Sequence, residues 1–88
     1  MSKKELNQAL KELRAESDKL GVENIDAKKK ISSLASSIED EINNLDNRKY
    51  IDDLIKNIQE HIEQYEIDHP RITSVLNRIM VTLSGLGI

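Results

Sequence analysis

The sequence has no cysteine, and this absence excludes several classes of site at once. Disulfide bonds, thiolate nucleophiles and cysteine-based zinc sites all need a side chain that the 88 residues do not contain. Small secreted domains often depend on disulfides, so a chain without cysteine fits a reducing compartment. We therefore expect a cytoplasmic protein whose fold is held by its core alone.

Aromatic residues, glycine and proline are also scarce. The chain has no phenylalanine or tryptophan, two tyrosines, three glycines and one proline. So few aromatics predict an aliphatic core, and so few turn-forming residues argue against a β-sandwich. With 33% charged residues, the composition favours helix throughout. Because separate cores generally need about 100 residues each, we predict a single all-α domain over residues 1–88.

Long apolar runs and blocks of like charge are missing as well. No stretch approaches the roughly 20 apolar residues of a membrane span, and the N-terminal residues lack the apolar run of a secretory signal. The net charge of −3 comes from interleaved signs, and the only basic run is Lys28, Lys29 and Lys30. Because no aromatic residue lies nearby to stack on bases, we expect no nucleic-acid partner.

The apolar residues that are present form four stripes at helical spacing. Within each stripe the residues recur three or four positions apart, which places them on one face of a helix. Ser2 followed by Glu5 fits a capping box and predicts where the first helix begins. The stripes are Leu6, Leu10, Leu13, Ser17 and Leu20; Ala27, Ile31, Leu34, Ala35, Ile38, Ile42 and Leu45; Ile51, Leu54, Ile55, Ile58, Ile62 and Tyr65; and Ile72, Val75, Leu76, Ile79, Met80 and Leu83.

The residues between the stripes predict where the helices begin and end. Gly21 can adopt the left-handed conformation that closes a first helix, and Asn24 or Asp26 can cap the second. The polar residues 46–49 predict a turn before the third helix. Pro70 has no N–H to leave unpaired and suits the first position of a fourth helix.

The register of the stripes predicts how the helices are arranged. A heptad phase continues across Gly21 and across Pro70, but it slips between Leu45 and Ile51. This pattern favours an antiparallel helical hairpin with interrupted legs and coiled-coil-like packing. The alternative is a compact four-helix bundle, in which each leg folds back at its interruption. Because narrow aliphatic stripes leave a lone hairpin short of buried surface, we expect a homodimer.

The histidines are the main candidates for a chemical site. His61 and His69 lie among several carboxylates, but eight residues of helix would separate them by about 12 Å. One metal ion could not bind both, so we interpret them as structural residues. The serines and carboxylates lack the motifs that would activate them. We therefore expect no enzymatic activity, no catalytic or metal-binding residue and no cofactor.

The segment 70–88 is the main candidate for an interaction site. Its only charges are Arg71 and Arg78, and its apolar face is the widest in the chain. The leading hypothesis is a non-catalytic oligomerisation or protein-interaction module, with an unidentified protein partner as an option. The alternative is a peripheral membrane-surface protein that binds through this amphipathic helix, although two basic residues support it weakly. The predicted interaction residues are Ile72, Val75, Leu76, Ile79, Met80, Leu83 and Leu86.

The C-terminal residues also carry a resemblance. Residues 65–73 (YEIDHPRIT), 76–80 (LNRIM) and 83–88 (LSGLGI) resemble the C-terminal signature of a family of short bacterial proteins of unknown function. The stretch from Leu6 to Leu20 is similar to that family too. The resemblance implies a small bacterial cytoplasmic protein, and it brings no activity, cofactor or site residue.

Overall fold

The computed structural model describes residues 2–42 and 48–86, without the side chains of Ser2 and Leu86. These residues form four α-helices and no strand, which confirms the all-α prediction. Of the turn predicted at residues 46–49, only Arg48 and Lys49 lie within the described ranges, and they begin the third helix instead of forming a turn; Leu45 lies outside the described ranges. The helices are α1 (Ser2–Asp18), α2 (Ile25–Glu41), α3 (Arg48–Tyr65) and α4 (Pro70–Leu86), and a short 3-10 helix (Val22–Asn24) precedes α2.

The helices form an antiparallel ring. Helix α1 packs between α2 and α4, and α3 packs against α4 and α2. Near the end of α1, the Ser17 hydroxyl lies 3.3 Å from that of Ser32 in the first half of α2. One turn earlier, Arg14 contacts Glu39 near the end of α2 at 3.1 Å, so the two helices run in opposite directions. The structure is therefore an up-down four-helix bundle.

The size of the chain agrees with this compact arrangement. Its longest extent is 39 Å, whereas two helical legs of about 40 residues each would extend roughly 60 Å. Each leg folds back at the interruption that the sequence indicates. Of the two arrangements left open by the sequence, the compact bundle is the one found.

The four predicted stripes meet at the centre of the ring and form one aliphatic core. Leu20, Ile55, Ile62 and Met80 lie at its edge and are partly buried. Ala9 and Thr73 are buried although they belong to no predicted stripe. The residues with no accessible surface are Leu6, Leu13, Ile31, Ala35, Ile38, Ile58, Leu76, Ile79 and Leu83. The expectation that these side chains are hidden from water is confirmed.

The connection between α1 and α2 differs from the prediction. Helix α1 ends at Asp18, and Gly21 is extended, with φ −84° and ψ −177°, so a left-handed Gly21 is wrong. The 3-10 turn that follows reverses the chain with ordinary backbone angles, and the Asn24 N–H donates to the Gly21 carbonyl at 2.9 Å. Asn24 occupies the N-cap position of α2, but its side chain makes no capping hydrogen bond.

The connection between α3 and α4 follows the prediction. The N–H groups of Glu66 and His69 donate to the carbonyls of Ile62 and Tyr65, at 2.9 and 2.8 Å, and close the end of α3. Pro70 is the first residue of α4, where a missing N–H costs no hydrogen bond. The Thr73 hydroxyl donates to the Pro70 carbonyl at 3.1 Å and satisfies a buried polar group.

The extended backbone of Gly21 can be tested with alanine. A Cβ there would lie 3.1 Å from a carboxylate oxygen of exposed Glu23, whose side chain is free to rotate away. We expect Gly21→Ala to raise the free energy of unfolding by about 0.4–1 kcal/mol, because it restricts the unfolded chain. Chemical denaturation measures the change. A destabilisation of about 1–2 kcal/mol, the cost of a left-handed alanine, would contradict the observed conformation.

The assignment of the α4 stripe to the core can be tested with two neighbouring substitutions. Ile79 has no accessible surface, whereas Val81 is 60% exposed. We expect Ile79→Ala to lower the free energy of unfolding by about 2–5 kcal/mol and Val81→Ala to change it by less than about 0.5 kcal/mol. Urea denaturation of both variants makes the comparison. Similar losses for the two would show that α4 does not face the core as described.

Candidate functional site

The predicted interaction residues of α4 lie mostly inside the bundle. Ile72, Val75, Leu76, Ile79 and Leu83 are buried in the core, and Met80 is partly buried against it. The side chain of Leu86 lies outside the described part of the chain. Contact with a second chain through these residues stays a prediction, and it would require the bundle to open. In the folded chain, the accessible surface is made by other residues.

The two arginines of α4 lie beside glutamates of α1. Arg78 forms an ion pair with Glu12, and Arg71 lies close to Glu16. A hydrogen bond from Lys19 Nζ, at 2.8 Å, lowers the pKa of Glu16, and the positive charge of Arg71 lowers it further. Because both arginines face glutamates of the same chain, their positive charges are already partly neutralised and are less available to a lipid headgroup.

A Tyr–His cluster lies near the end of α3. The Tyr65 ring packs between the rings of His61 and His69, with centroid separations of 6.2 and 5.8 Å. His61 Nδ1–H donates to the Asn57 carbonyl one turn earlier, at 2.9 Å. Burial raises the pKa of the Tyr65 hydroxyl above its usual value, and the negative charge of Asp26 raises it further.

The cluster does not have the geometry of a metal centre. Among residues 2–42 and 48–86, no three His, Asp or Glu side chains are placed to hold a metal ion. An open polar groove of about 370 Å³ runs between α2 and α3 beside His61, with Lys30, Ser33 and Gln64 in its walls. We conclude that the two histidines flank a buried tyrosine at a helix junction.

A different surface emerges at one end of the bundle. In an up-down bundle, the α1–α2 connection and the α3–α4 connection lie at the same end, and Asp26, next to the first, is near enough for its charge to raise the pKa of Tyr65, next to the second. We call this surface, formed by residues 19–26 and 65–70, the turn end. It exposes Val22 and Ile67, each 86% accessible, and Ile25, 44% accessible.

The grouping of these three side chains sets them apart from ordinary surface residues. Single apolar residues on a surface are common and need no explanation. Here, however, the large hydrophobic residues exposed in the described ranges number five, and three of them share the turn end. Val22 and Ile25 are three positions apart across a 3-10 turn, so they lie on one side of it. Tyr50 and Val81 lie on other parts of the bundle.

Two charged clusters flank the turn end. Lys28, Lys29 and Lys30 follow the first turn of α2, and Glu60, Glu63 and Glu66 occupy the last two turns of α3 and the residue after it. No ion pair joins any of these six side chains to another described residue. The lysines outnumber the exposed carboxylates Glu23 and Asp26 that precede them, so this side of the turn end carries a net positive charge and the adjacent side a net negative charge.

Comparison with known proteins places the chain in a family. Residues 6–88 match a family described as "Domain of unknown function (DUF4404)". The chain belongs to this family. The predicted membership of a family of unknown function is confirmed, while the C-terminal signature and the bacterial origin stay predictions. No curated protein and no solved structure matches the chain.

The matched region of the DUF4404 chain contains the whole turn end, which the periodicity of the sequence does not reveal. Val22 and Ile67 lie outside the four stripes, so a search for core positions passes over them. The sequence feature that could have identified these two residues is their position in turns, where small and polar residues are most common. An apolar β-branched residue in each of two turns is unexpected on that ground.

Tyr65 of the DUF4404 chain gives a pH test of the turn end. With Tyr50→Phe, Tyr65 is the only tyrosine, and its ultraviolet absorbance should titrate with a midpoint above about 10. Asp26→Asn should lower that midpoint only partly, because burial is the larger cause. Since the folded-state pKa is raised, the stability gained from the neutral ring is present below pH about 10 and lost as the pH rises through the raised pKa. A midpoint at or below 10 would contradict the buried position.

Proposed function

We propose that this DUF4404 chain is a non-catalytic helical oligomerisation module whose copies associate through the turn end. The observation that carries the proposal is the exposure of Val22, Ile25 and Ile67 on one end of a bundle whose other apolar residues are mostly buried. Burying such side chains stabilises a contact by about 1.5–3 kcal/mol each, before the costs of association. This surface gains more from contact than the charged sides of the bundle do.

The size of the turn end implies a weak association. The bundle is 21 × 18 Å across, measured between Cα atoms. The turn end, residues 19–26 and 65–70, has 14 residues, which is fewer than the roughly 20–30 residues that each partner contributes to a standard interface. We therefore expect a homodimer in reversible, concentration-dependent equilibrium with the monomer.

Two features support a role without catalysis. The centre of the bundle is filled by aliphatic side chains, so it has no room for a substrate. The polar groups around His61 line an open groove and do not converge on a point where a reacting atom could sit. We propose no enzymatic activity, cofactor or nucleic-acid partner for the chain.

The membrane alternative receives no specific support. The apolar face of α4 that would enter a lipid surface is buried against the other helices, and its arginines face glutamates of α1. None of the helices described here is long and apolar enough to cross a membrane. We therefore keep oligomerisation as the proposed function.

The proposal is tested by measuring the mass of the chain in solution as its concentration rises. Sedimentation velocity from about 10 µM to about 1 mM should show the average mass rising toward that of a dimer. The double variant Val22→Ser, Ile67→Ser should weaken the association at least tenfold, because it removes the apolar contact. Circular dichroism should show an unchanged fold, since both side chains are 86% exposed in the monomer.

Val81→Ser is the matched control. It makes a similar change at a 60% exposed site on the side of the bundle, so the association should be unaffected. A chain that stays monomeric over the whole concentration range would refute self-association. Equal weakening by Val81→Ser would refute the turn end as its site.

A further inference from the structure

We infer that two copies meet at the turn end in a two-fold arrangement, in which the lysines 28–30 of each copy face the glutamates 60, 63 and 66 of the other. The inference rests on the proposed function and specifies how the copies are oriented and what selects a second copy as the partner.

The first observation is the separation of charge around the turn end. From residue 57 to residue 70 the sequence contains four carboxylates and no lysine or arginine. On the neighbouring helix, three lysines follow one another at residues 28–30. Lys30 and Glu60 even line the same groove between α2 and α3, yet they form no ion pair.

The second observation is that the chain pairs its charges elsewhere. Arg14 of α1 pairs with Glu39 of α2, and Glu12 of α1 pairs with Arg78 of α4. These ion pairs join neighbouring helices along the sides of the bundle. Beside the turn end, Lys28 is partly buried, whereas Lys29, Lys30 and the three glutamates are exposed, and none of them forms an ion pair with another described residue, so their charge is available to another molecule.

The third observation is that helix electrostatics does not explain the acidic cluster. Glu63 lies in the last turn of α3 and Glu66 directly follows that helix, which has no basic residue in its last turn. The carbonyl end of a helix carries partial negative charge and favours lysine or arginine over glutamate. These glutamates therefore oppose the folding of the single chain, and a contact outside the chain gives them a role.

Together these charges make the surface of one copy complementary to the same surface of a second copy. In a two-fold dimer the same surface is used by both subunits, so a basic side next to an acidic side meets its opposite on the partner. The apolar residues Val22, Ile25 and Ile67 would then lie between two sets of opposite charges. A nucleic acid or an anionic membrane would be repelled by the glutamates, so a second copy fits this surface better.

The arrangement has two measurable consequences. Because the contact includes the sides of α2 and α3 next to the turn end, the two bundles overlap there, and the dimer should be longer than the 39 Å extent of one chain but shorter than twice that extent. Salt screens the attraction between exposed charges, and the screening length falls from about 10 Å at 0.1 M to about 3 Å at 1 M. Added salt should therefore weaken the association. Small-angle scattering and sedimentation at two salt concentrations measure both.

The decisive experiment is a charge exchange followed by sedimentation. An acidic variant carries Lys29→Glu and Lys30→Glu, and a basic variant carries Glu63→Lys and Glu66→Lys. Each alone should self-associate at least tenfold more weakly than the original chain, because like charges then face each other. An equimolar mixture should form a heterodimer at least as tight as the original dimer. A chain with all four substitutions should regain self-association, because opposite charges face each other again.

Two controls test whether the variants act through misfolding or through a change in net charge alone. The basic variant should unfold at the same or a higher temperature, since lysine suits the end of α3 better than glutamate. Lys3→Glu with Lys4→Glu changes two adjacent exposed lysines at the opposite end of the bundle and should leave association unchanged.

The outcomes separate this inference from the proposed function. If the original chain dimerises through Val22 and Ile67 but the charge exchange has no effect, the two-fold charge pairing is overturned while oligomerisation stands. Failure of the mixture to form a heterodimer likewise overturns the pairing. A chain that never dimerises overturns the proposed function itself.

Discussion

Four aliphatic stripes can leave water together only if they face one another, and this requirement decides the rest of the structure. A narrow stripe on one helix hides little surface against a single neighbour, but four stripes around a common axis enclose each other. Leu13, Ile38, Ile58 and Leu76, one from each helix, are completely inaccessible as a result. The chain reverses direction at both interruptions of the heptad pattern, because an extended leg would leave part of its apolar stripe exposed to water.

The same constraint determines what remains for function. Because the apolar face of α4 is buried in the core, the sides of the bundle consist mostly of polar and charged residues. Ion pairs such as Glu12–Arg78 join neighbouring helices there, but at an exposed site they contribute little stability. The connections are not required to cover the core in the same way. Val22 and Ile67 are exposed there, and on the proposed function they mark where copies meet.

Much of the fold could be predicted from spacing alone. The four stripes and the start of α4 at Pro70 follow from residue types and their periods. The fold-back at Gly21 could not be predicted, because a heptad phase that continues across a turn is compatible with both a straight and a reversed chain. The backbone angles of Gly21 could not be predicted either, because glycine permits both hands of turn and the local 3-10 helix decides between them.

The turn end was missed for a related reason. Periodicity identifies residues that share a helix face, whereas Val22 and Ile67 lie at the same end of the bundle only because of its topology.

A single chain that buries its own apolar stripes stays compact without a partner. Small-angle X-ray scattering of a dilute solution measures this, since dilution removes any weak association. We expect a particle with the mass of one chain and a radius of gyration slightly above the 12.4 Å of its Cα atoms. A particle roughly 60 Å long at the same dilution, as expected for straight helical legs, would contradict it.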